Sequence, residues 1–228
     1  MEKQELTRLN LLRPVRQIQS NRRSLVGRVR LATGGAASFE SSLERDWLIC
    51  LDFDPDVQMV VEQPFTLSYV ADGVQRRYTP DVLAQFSEQD GLASVIVYEV
   101  KPIDELRAQW QTYKRRFRET VAFCRQRDWR FKIVTEKHIR TPYLQNAKFL
   151  RKYRNYAAQT MYRDQMLYSL RLLGEATPQS LLALSYRDEE KRMAALTELW
   201  RMVAAGELRA DLNKPLTMQS PIWAGRRT

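Results

Sequence analysis

Histidine, cysteine and glycine are scarce in this sequence of 228 residues, and their scarcity excludes several classes of protein. The single histidine, His138, has no cysteine or serine at a recognisable spacing, which argues against a zinc site or a histidine-based triad. The two cysteines, Cys50 and Cys124, lie far apart in apolar helical patterns and indicate no disulfide framework. The 8 glycines form no phosphate-binding loop, so nucleotide hydrolysis by this chain is not expected.

Long hydrophobic runs are also absent, whereas positive charge is in surplus. No apolar run approaches the ~20 residues that span a bilayer, and the polar start of the chain lacks the apolar core of a signal peptide. We therefore expect a cytoplasmic protein with no membrane association. The formal net charge is +10, which favours a polyanionic partner, and nucleic acid is the commonest one.

The charge and hydropathy patterns divide the chain into three parts. Residues 1–37 form a basic arm, which either orders on a phosphate backbone or remains a solvated tail; the interspersed leucines and valines favour the first. Residues 38–142 predict a mixed α/β sheet flanked by helices. Residues 143–228 show the order helix, turn, helix and β-hairpin, which predicts a winged-helix-like domain that binds either DNA or protein.

Within the middle part, alternation and helical periodicity predict individual elements. We expect helices over 38–53 and onward from Pro102, and hairpin turns at Asp72-Gly73 and Asp90-Gly91. The predicted strands are Val57–Glu62, Phe65–Val70, Arg77–Phe86, Ala93–Val100 and Trp129–Thr135.

The strands over 77–86 and 93–100 end in residues that carry chemistry. Glu99 and Lys101 share one face because side chains two apart on a strand point the same way, while Val100 points into packing. If the two strands pair, Asp81 approaches that face. Asp81, Glu99 and the Val100 carbonyl are hard oxygen ligands that suit Mg²⁺, with Mn²⁺ as a substitute. The alternative is a surface ion pair, because Glu-x-Lys alone is a common pattern.

Lys101 and Glu44 complete the candidate set. Lys101 would orient or help deprotonate a water, or stabilise negative charge on phosphorus. Glu44 stands in a Ser41-x-x-Glu44 spacing, so it is either the acid of a capping box or a third carboxylate of the metal site.

The helix after Pro102 carries many basic residues opposite its apolar stripe. They form either a solvated helix face or a surface that tracks phosphates, and the sequence favours neither. They are Lys114, Arg115, Arg116, Arg118, Arg125 and Arg127.

Several motifs together resemble those of the TnsA endonuclease subunit of heteromeric, cut-and-paste transposases, a branch of the restriction-endonuclease-like PD-(D/E)xK superfamily. The motifs, in order, are SLERDWL…DFDPDV…EQPF (42–65), RYTPD (77–81) and VIVYEVK (95–101). The resemblance runs from about residue 38 to 140, with a looser winged-helix-like match beyond it.

The resemblance implies a fold, a site and partners. Glu44, Asp81 and Glu99 would ligate or organise Mg²⁺, and Lys101 would complete the active site. The chain would nick the non-transferred strand at the 5′ ends of the transposon. A TnsB-like DDE transposase subunit would cut and join the 3′ ends, and a TnsC-like AAA+ ATPase would regulate both, in a bacterial cell and at the nucleoid.

Two other functions stay open at this point. The chain could be a stand-alone repair or junction nuclease of the same fold, or a basic DNA- or protein-binding adaptor whose nuclease site is vestigial. Some members of the family have Gln at the position of Glu99, so the second carboxylate is not a fixed requirement.

Overall fold

The computed structural model describes residues 27–32, 34–88 and 94–225. Most of the predicted basic arm and the predicted turn at Asp90-Gly91 lie outside these residues. The chain divides into two compact units, the first ending at Ile139 and the second beginning at Arg140. No helix within the described residues is long and apolar enough to cross a membrane.

The first unit contains eight described strands and four helices. The strands are β1 (Gly27–Arg30), β2 (Ala36–Phe39), β3 (Val57–Glu62), β4 (Leu67–Ala71), β5 (Val74–Tyr78), β6 (Val82–Phe86), β7 (Val95–Val100) and β8 (Arg130–Val134). The helices are α1 (Ser42–Phe53), α2 (Ile103–Ala108), α3 (Trp110–Arg125) and α4 (Glu136–Ile139).

A four-stranded mixed sheet in the order β3-β6-β7-β8 forms the centre of this unit. Strands β3, β6 and β7 are antiparallel, and β8 is parallel to β7 because α2 and α3 cross over between them. All six residues of β7 are buried, as expected for a central strand covered on both faces.

Helices α1 and α3 cover opposite faces of the sheet. On one face Val97 of β7 packs in a cluster with Cys124 of α3, and on the other Tyr98 makes an edge contact with Trp47 of α1, with ring centroids 5.0 Å apart. Because side chains alternate along a strand, Glu99 lies on the α3 side.

Most predicted elements of this unit are present, and three of them differ in more than a residue or two at their ends. The strand predicted over 77–86 is two strands, β5 and β6, separated by Thr79–Asp81. Pro80 has no N–H to continue a ladder of hydrogen bonds. In addition, β5 pairs with β4 whereas β6 pairs with β7. The helix predicted from residue 38 begins at Ser42, since Ser41 is its N-cap and Ala36–Phe39 pairs with β1. The helix after Pro102 is interrupted at Gln109.

The turn at Asp72-Gly73 is confirmed. Both residues have positive φ, 54° and 74°, which is the geometry that a two-residue hairpin between β4 and β5 requires.

The second unit is helical with a small sheet. Its helices are α5 (Pro142–Leu150), α6 (Thr160–Leu173), α7 (Pro178–Ser185) and α8 (Glu189–Ala204), and its strands are β9 (Glu175–Ala176), β10 (Leu208–Ala210) and β11 (Ile222–Ala224). The strands form an antiparallel sheet in the order β10-β11-β9.

Helix ends in the second unit follow the capping residues of the sequence. Thr177 caps α7 in a reciprocal box with Ser180, Pro178 follows it, and Gly206 with φ of 74° follows α8. The core includes Leu170, Leu181, Leu199, Met202 and Ile222.

Candidate active site

Asp81, Glu99 and Lys101 meet at the carboxyl end of β7. The ammonium Nζ of Lys101 lies 3.5 Å from Oδ2 of Asp81 and 3.4 Å from Oε1 of Glu99. The Glu99 side chain is 1% exposed, whereas those of Lys101 and Asp81 are 20% and 19% exposed. One carboxylate of the trio is therefore sealed in the protein, and the other two groups border solvent.

Backbone hydrogen bonds fix this arrangement. Oδ2 of Asp81 accepts a hydrogen bond from the amide of Val100 at 2.7 Å, and the Asp81 carbonyl accepts one from the amide of Gln63 at 2.8 Å. The amide of Lys101 donates to the Val134 carbonyl of β8 at 3.1 Å. The Asp81 carboxylate is thus tied to the same strand end that carries Glu99 and Lys101.

The Val100 carbonyl also borders the site. It accepts a hydrogen bond from Nζ of Lys101 at 3.2 Å, while the Val100 side chain is buried. Its role as a metal ligand stays a prediction.

Glu44 lies at the first turn of α1 and takes the capping geometry. Its amide donates to Oγ of Ser41 at 3.1 Å, and its carboxylate accepts from that hydroxyl at 2.9 Å and from the amide of Glu40 at 2.8 Å. Burial raises the pKa of Glu44, the charge of Asp81 raises it further, and Lys101 opposes both. Glu44 is therefore within electrostatic range of the trio while its oxygens face its own helix cap.

Glu99 has two partners that the sequence did not indicate. Oε2 accepts a hydrogen bond from the phenol of Tyr78, the last residue of β5. Oε1 accepts one from Nη2 of Arg116 on α3 at 3.0 Å. Both oxygens of this carboxylate are occupied by protein donors.

Arg116 was predicted on the basic face of its helix, and that placement is wrong. Its guanidinium carbon lies 4.1 Å from the ring centre of Tyr113 and 5.3 Å from that of Phe117, on the side of α3 that faces the sheet. The available signal was the spacing, because Arg116 stands three residues after Tyr113 and next to Phe117, both of which belong to the apolar stripe.

The charges of the trio shift one another's pKa values. Burial raises the pKa of Glu99 to about 7, and the charge of Asp81 adds to this effect while Lys101 opposes it. Desolvation likewise raises the pKa of Asp81 despite the nearby Lys101. Burial alone would lower the pKa of Lys101, but Asp81 and Glu99 raise it well above its usual range. Lys101 is consequently an ammonium at neutral pH, which favours charge stabilisation over proton abstraction.

The oxygen atoms of the predicted metal ligands suit a hard divalent cation, but they do not form a three-ligand cluster. Among the described residues, no three His, Cys, Asp or Glu side chains converge on one point. The physical reason is that the oxygens of Glu44 face its cap and those of Glu99 face Tyr78 and Arg116. Oδ1 of Asp81 accepts no hydrogen bond within the described chain, and its carboxylate raises the pKa values of both glutamates, a repulsion that a cation would relieve.

The outer side of α3 carries a separate basic surface. A concave region of about 550 Å³ is lined by Gln111, Lys114, Arg115, Arg118, Glu119 and Ala122. We call Lys114, Arg115 and Arg118 the α3 basic face. Arg127 was predicted to lie with these basic residues, but it does not. Its guanidinium carbon lies 3.6 Å from the ring centre of Phe123, and its Nη1 donates a hydrogen bond to the Phe123 carbonyl.

Comparison with known proteins identifies part of the first unit. Residues 54–136 match the family described as TnsA-like endonuclease, N terminal. The matched segment contains Asp81, Glu99, Lys101 and Arg116, whereas Glu44 lies upstream of it. No curated protein matches the chain significantly. Over these residues the match supports the expected TnsA-type endonuclease of the restriction-endonuclease-like superfamily, and the mixed sheet between helices is consistent with that fold.

Proposed function

We propose, from the premise that residues 54–136 form a TnsA-like endonuclease N-terminal domain, that the chain is the Mg²⁺-dependent DNA endonuclease subunit of a heteromeric transposase. It would hydrolyse a phosphodiester of the non-transferred strand at the 5′ ends of the transposon. A TnsB-like DDE transposase would cut and join the 3′ ends, and a TnsC-like AAA+ ATPase would regulate both. The observation that carries the proposal is the placement of the Lys101 ammonium between the carboxylates of Asp81 and Glu99.

The chemistry follows from the charges at this point. In phosphodiester hydrolysis, a water oxygen forms a bond to phosphorus, the bond to the leaving oxygen breaks, and the proton lost by water is balanced by one gained on the leaving oxygen. Negative charge builds up on the phosphoryl oxygens, and Lys101, cationic and only 20% exposed, supplies a fixed positive charge there. Asp81, whose Oδ1 accepts no hydrogen bond from the described residues, would be the first ligand of Mg²⁺ or Mn²⁺, and Glu44, Glu99 and the Val100 carbonyl stay predicted further ligands. When bound, the cation would polarise the phosphate and lower the pKa of a water.

DNA would be held by positive charge on the outer side of the helix that contacts the site. The α3 basic face lies on the same helix as Arg116, which contacts Glu99, so one helix carries both a contact to the site and an exposed cationic surface. Lys and Arg that neutralise phosphates supply most non-specific affinity for DNA.

The second unit supports a partner-binding or DNA-binding role. Its order α6, β9, α7, α8, β10, β11, with the three strands in one antiparallel sheet, is the order of a winged helix. We propose a winged-helix-like fold for this unit, and this order of elements supports the proposal. We propose that this unit contacts DNA or the partner subunits, in a bacterial cell and at the nucleoid.

Cleavage of transposon-end DNA tests the proposal. Transposon-end duplexes would be incubated with Mg²⁺ and the partner transposase, and the 5′-end nicks of the wild type and of Asp81→Ala would be mapped at nucleotide resolution. We expect nicks with the wild type only, and equal nicking by both proteins would refute the assignment. Robust cleavage without any partner would instead identify a stand-alone nuclease. Calorimetry that detects no divalent-cation binding, together with an unchanged Lys101→Ala phenotype, would identify an adaptor.

A further inference from the structure

Glu99 is the most constrained carboxylate in the candidate site. Its Oε1 is shared by Nη2 of Arg116 at 3.0 Å and Nζ of Lys101 at 3.4 Å, and its Oε2 accepts the phenol proton of Tyr78. The side chain is 1% exposed, so water does not compete for these contacts. With donors on both oxygens, the carboxylate has one orientation in which every contact is made.

Arg116 is itself held in place by aromatic rings. Its guanidinium carbon lies 4.8 Å from the ring centre of Tyr78, 4.1 Å from that of Tyr113 and 5.3 Å from that of Phe117. These rings support one another, since the Tyr113 and Phe117 centres are 5.6 Å apart and those of Tyr78 and Phe117 are 6.3 Å apart. A guanidinium in such a cage loses little freedom when it binds a carboxylate, so its direction is fixed before the contact forms.

The cage and the carboxylate come from different parts of the fold. Tyr78 ends β5, Arg116 lies in the second turn of α3, and Glu99 lies on β7. Three elements therefore converge on one buried carboxylate, although a lysine already provides it with a counter-charge. That lysine is shared with Asp81, so the Arg116 guanidinium completes the charge balance of the two carboxylates. Its 3.0 Å contact also fixes the direction in which Oε1 of Glu99 points.

We infer that Tyr78 and Arg116 are positioning residues of the nuclease site, an inference that rests on the proposed function. They hold Glu99 so that Oε1 faces Nζ of Lys101, and Glu99 in turn keeps the ammonium beside Asp81. Without them Glu99 turns away from this direction, and Lys101 loses one of the two carboxylates that hold its position. In this role neither residue contacts the substrate, and both act through Glu99.

Kinetic separation of turnover from DNA binding tests this role. Arg116→Met and Tyr78→Phe would be compared with the wild type in nicking of transposon-end DNA with the partner transposase, and Arg107→Met is the matched control. Arg107 is exposed on α2, and its one ion pair among the described residues is with the exposed Asp104, 3.5 Å away. We expect kcat to fall about 10- to 100-fold for Arg116→Met and about tenfold for Tyr78→Phe, with KM for DNA within twofold and the control unchanged.

Tyr78→Phe is the decisive variant because it keeps the ring and removes only the hydroxyl. If Arg116→Met does not fold, Tyr78→Phe still separates the positioning role from a structural one. Arg116→Lys, which keeps the charge but not the planar fork, should recover only part of the turnover that Arg116→Met abolishes. A raised KM with unchanged kcat in the Arg116 variants would make Arg116 a DNA contact and overturn the inference.

A second measurement does not depend on cleavage. The side-chain ¹⁵Nζ and ¹³Cε resonances of Lys101, assigned with Lys101→Arg, would be recorded in metal-free protein. We expect them to shift in Tyr78→Phe, whose melting temperature should fall because Oε2 of Glu99 loses its donor but should stay well above the temperature of the measurement. Unchanged resonances together with unchanged kcat would overturn the inference. If the wild type does not cleave DNA but the resonances shift, the positioning contact holds and the proposed function fails.

Discussion

The carboxylate of Asp81 accepts a hydrogen bond from the backbone amide of Val100 across 2.7 Å, while the same oxygen lies 3.5 Å from Nζ of Lys101. This one oxygen therefore joins the start of β6 to the end of β7 and also contributes charge to the site. Its structural and chemical contributions are separable by substitution.

Asp81→Asn should separate them. The Asn carbonyl can still accept the Val100 amide, so we expect stability close to wild type, whereas removal of the charge should reduce cleavage at least about 100-fold, equivalent to about 3 kcal/mol of transition-state stabilisation. Asp81→Ala should lose activity equally and also lose about 1–3 kcal/mol of stability, because the Val100 amide is left unpaired. Urea unfolding and nicking assays measure the two effects. An Asn variant that cleaves at the wild-type rate would contradict the assignment of Asp81.

Glu44 and Ser41 form a matched pair for testing whether Glu44 does more than cap α1. Ser41→Ala removes the N-cap hydroxyl and should cost about 1 kcal/mol of stability with little change in cleavage. Glu44→Gln keeps groups that can bond Ser41 and the Glu40 amide but removes the charge beside Asp81 and Lys101, so cleavage should fall about tenfold or more with little loss of stability. If both variants lose only stability, Glu44 is a capping residue alone.

The α3 basic face should determine the salt dependence of DNA binding. Replacing Lys114, Arg115 and Arg118 by Met should weaken binding to duplexes of any sequence. The slope of log K against log salt should become shallower by about 0.9 for each phosphate that the variant no longer neutralises. Fluorescence anisotropy at several salt concentrations measures this, with Arg107→Met as the control. An unchanged slope in the triple variant would show that this face is only solvated.

The two thiols should be inert in the folded protein. Cys124 is 1% exposed and burial raises its pKa to about 11, and Cys50 is 6% exposed. Because the thiolate is the reactive form, a raised pKa leaves almost none of it at pH 8, well below that value. Reaction with a disulfide reagent at pH 8 should be slow for the native protein and should label both cysteines once the chain is unfolded in guanidinium. Rapid labelling of Cys124 in the native protein would show that the core around α3 opens readily, and rapid labelling of Cys50 would show the same for α1.

Local patterns in the sequence predicted local structure well. Strand β3 has the predicted bounds Val57–Glu62, and the Asp72-Gly73 hairpin follows from two residues that tolerate positive φ. Period-two alternation likewise placed Glu99 and Lys101 on one face. In each case the determining interactions lie within a few residues, so the sequence records them directly.

The remaining features depend on contacts between distant segments. The break at Thr79–Asp81 follows from β5 and β6 pairing with different strands, which alternation alone does not reveal. The role of Arg116 depends on which side of α3 faces the sheet. The run of basic residues in the sequence does not show that this one arginine faces inward. Tyr78 gave no signal at all, because a tyrosine at a strand end is ordinary until its hydroxyl is found on a buried carboxylate.

The break between β5 and β6 at Thr79–Asp81 has a consequence for how the site folds. The contacts around Glu99 and Asp81 join residues that are far apart in the sequence. Tyr78 and Glu99 are 21 positions apart, Asp81 and Val100 are 19 apart, and Glu99 and Arg116 are 17 apart. Loop-closure entropy opposes such contacts until the strands are in register, so we expect the site to form together with the sheet and not before it. No short peptide cut from this chain would reproduce the pocket, and its charges stay dispersed in an unfolded or newly synthesised chain.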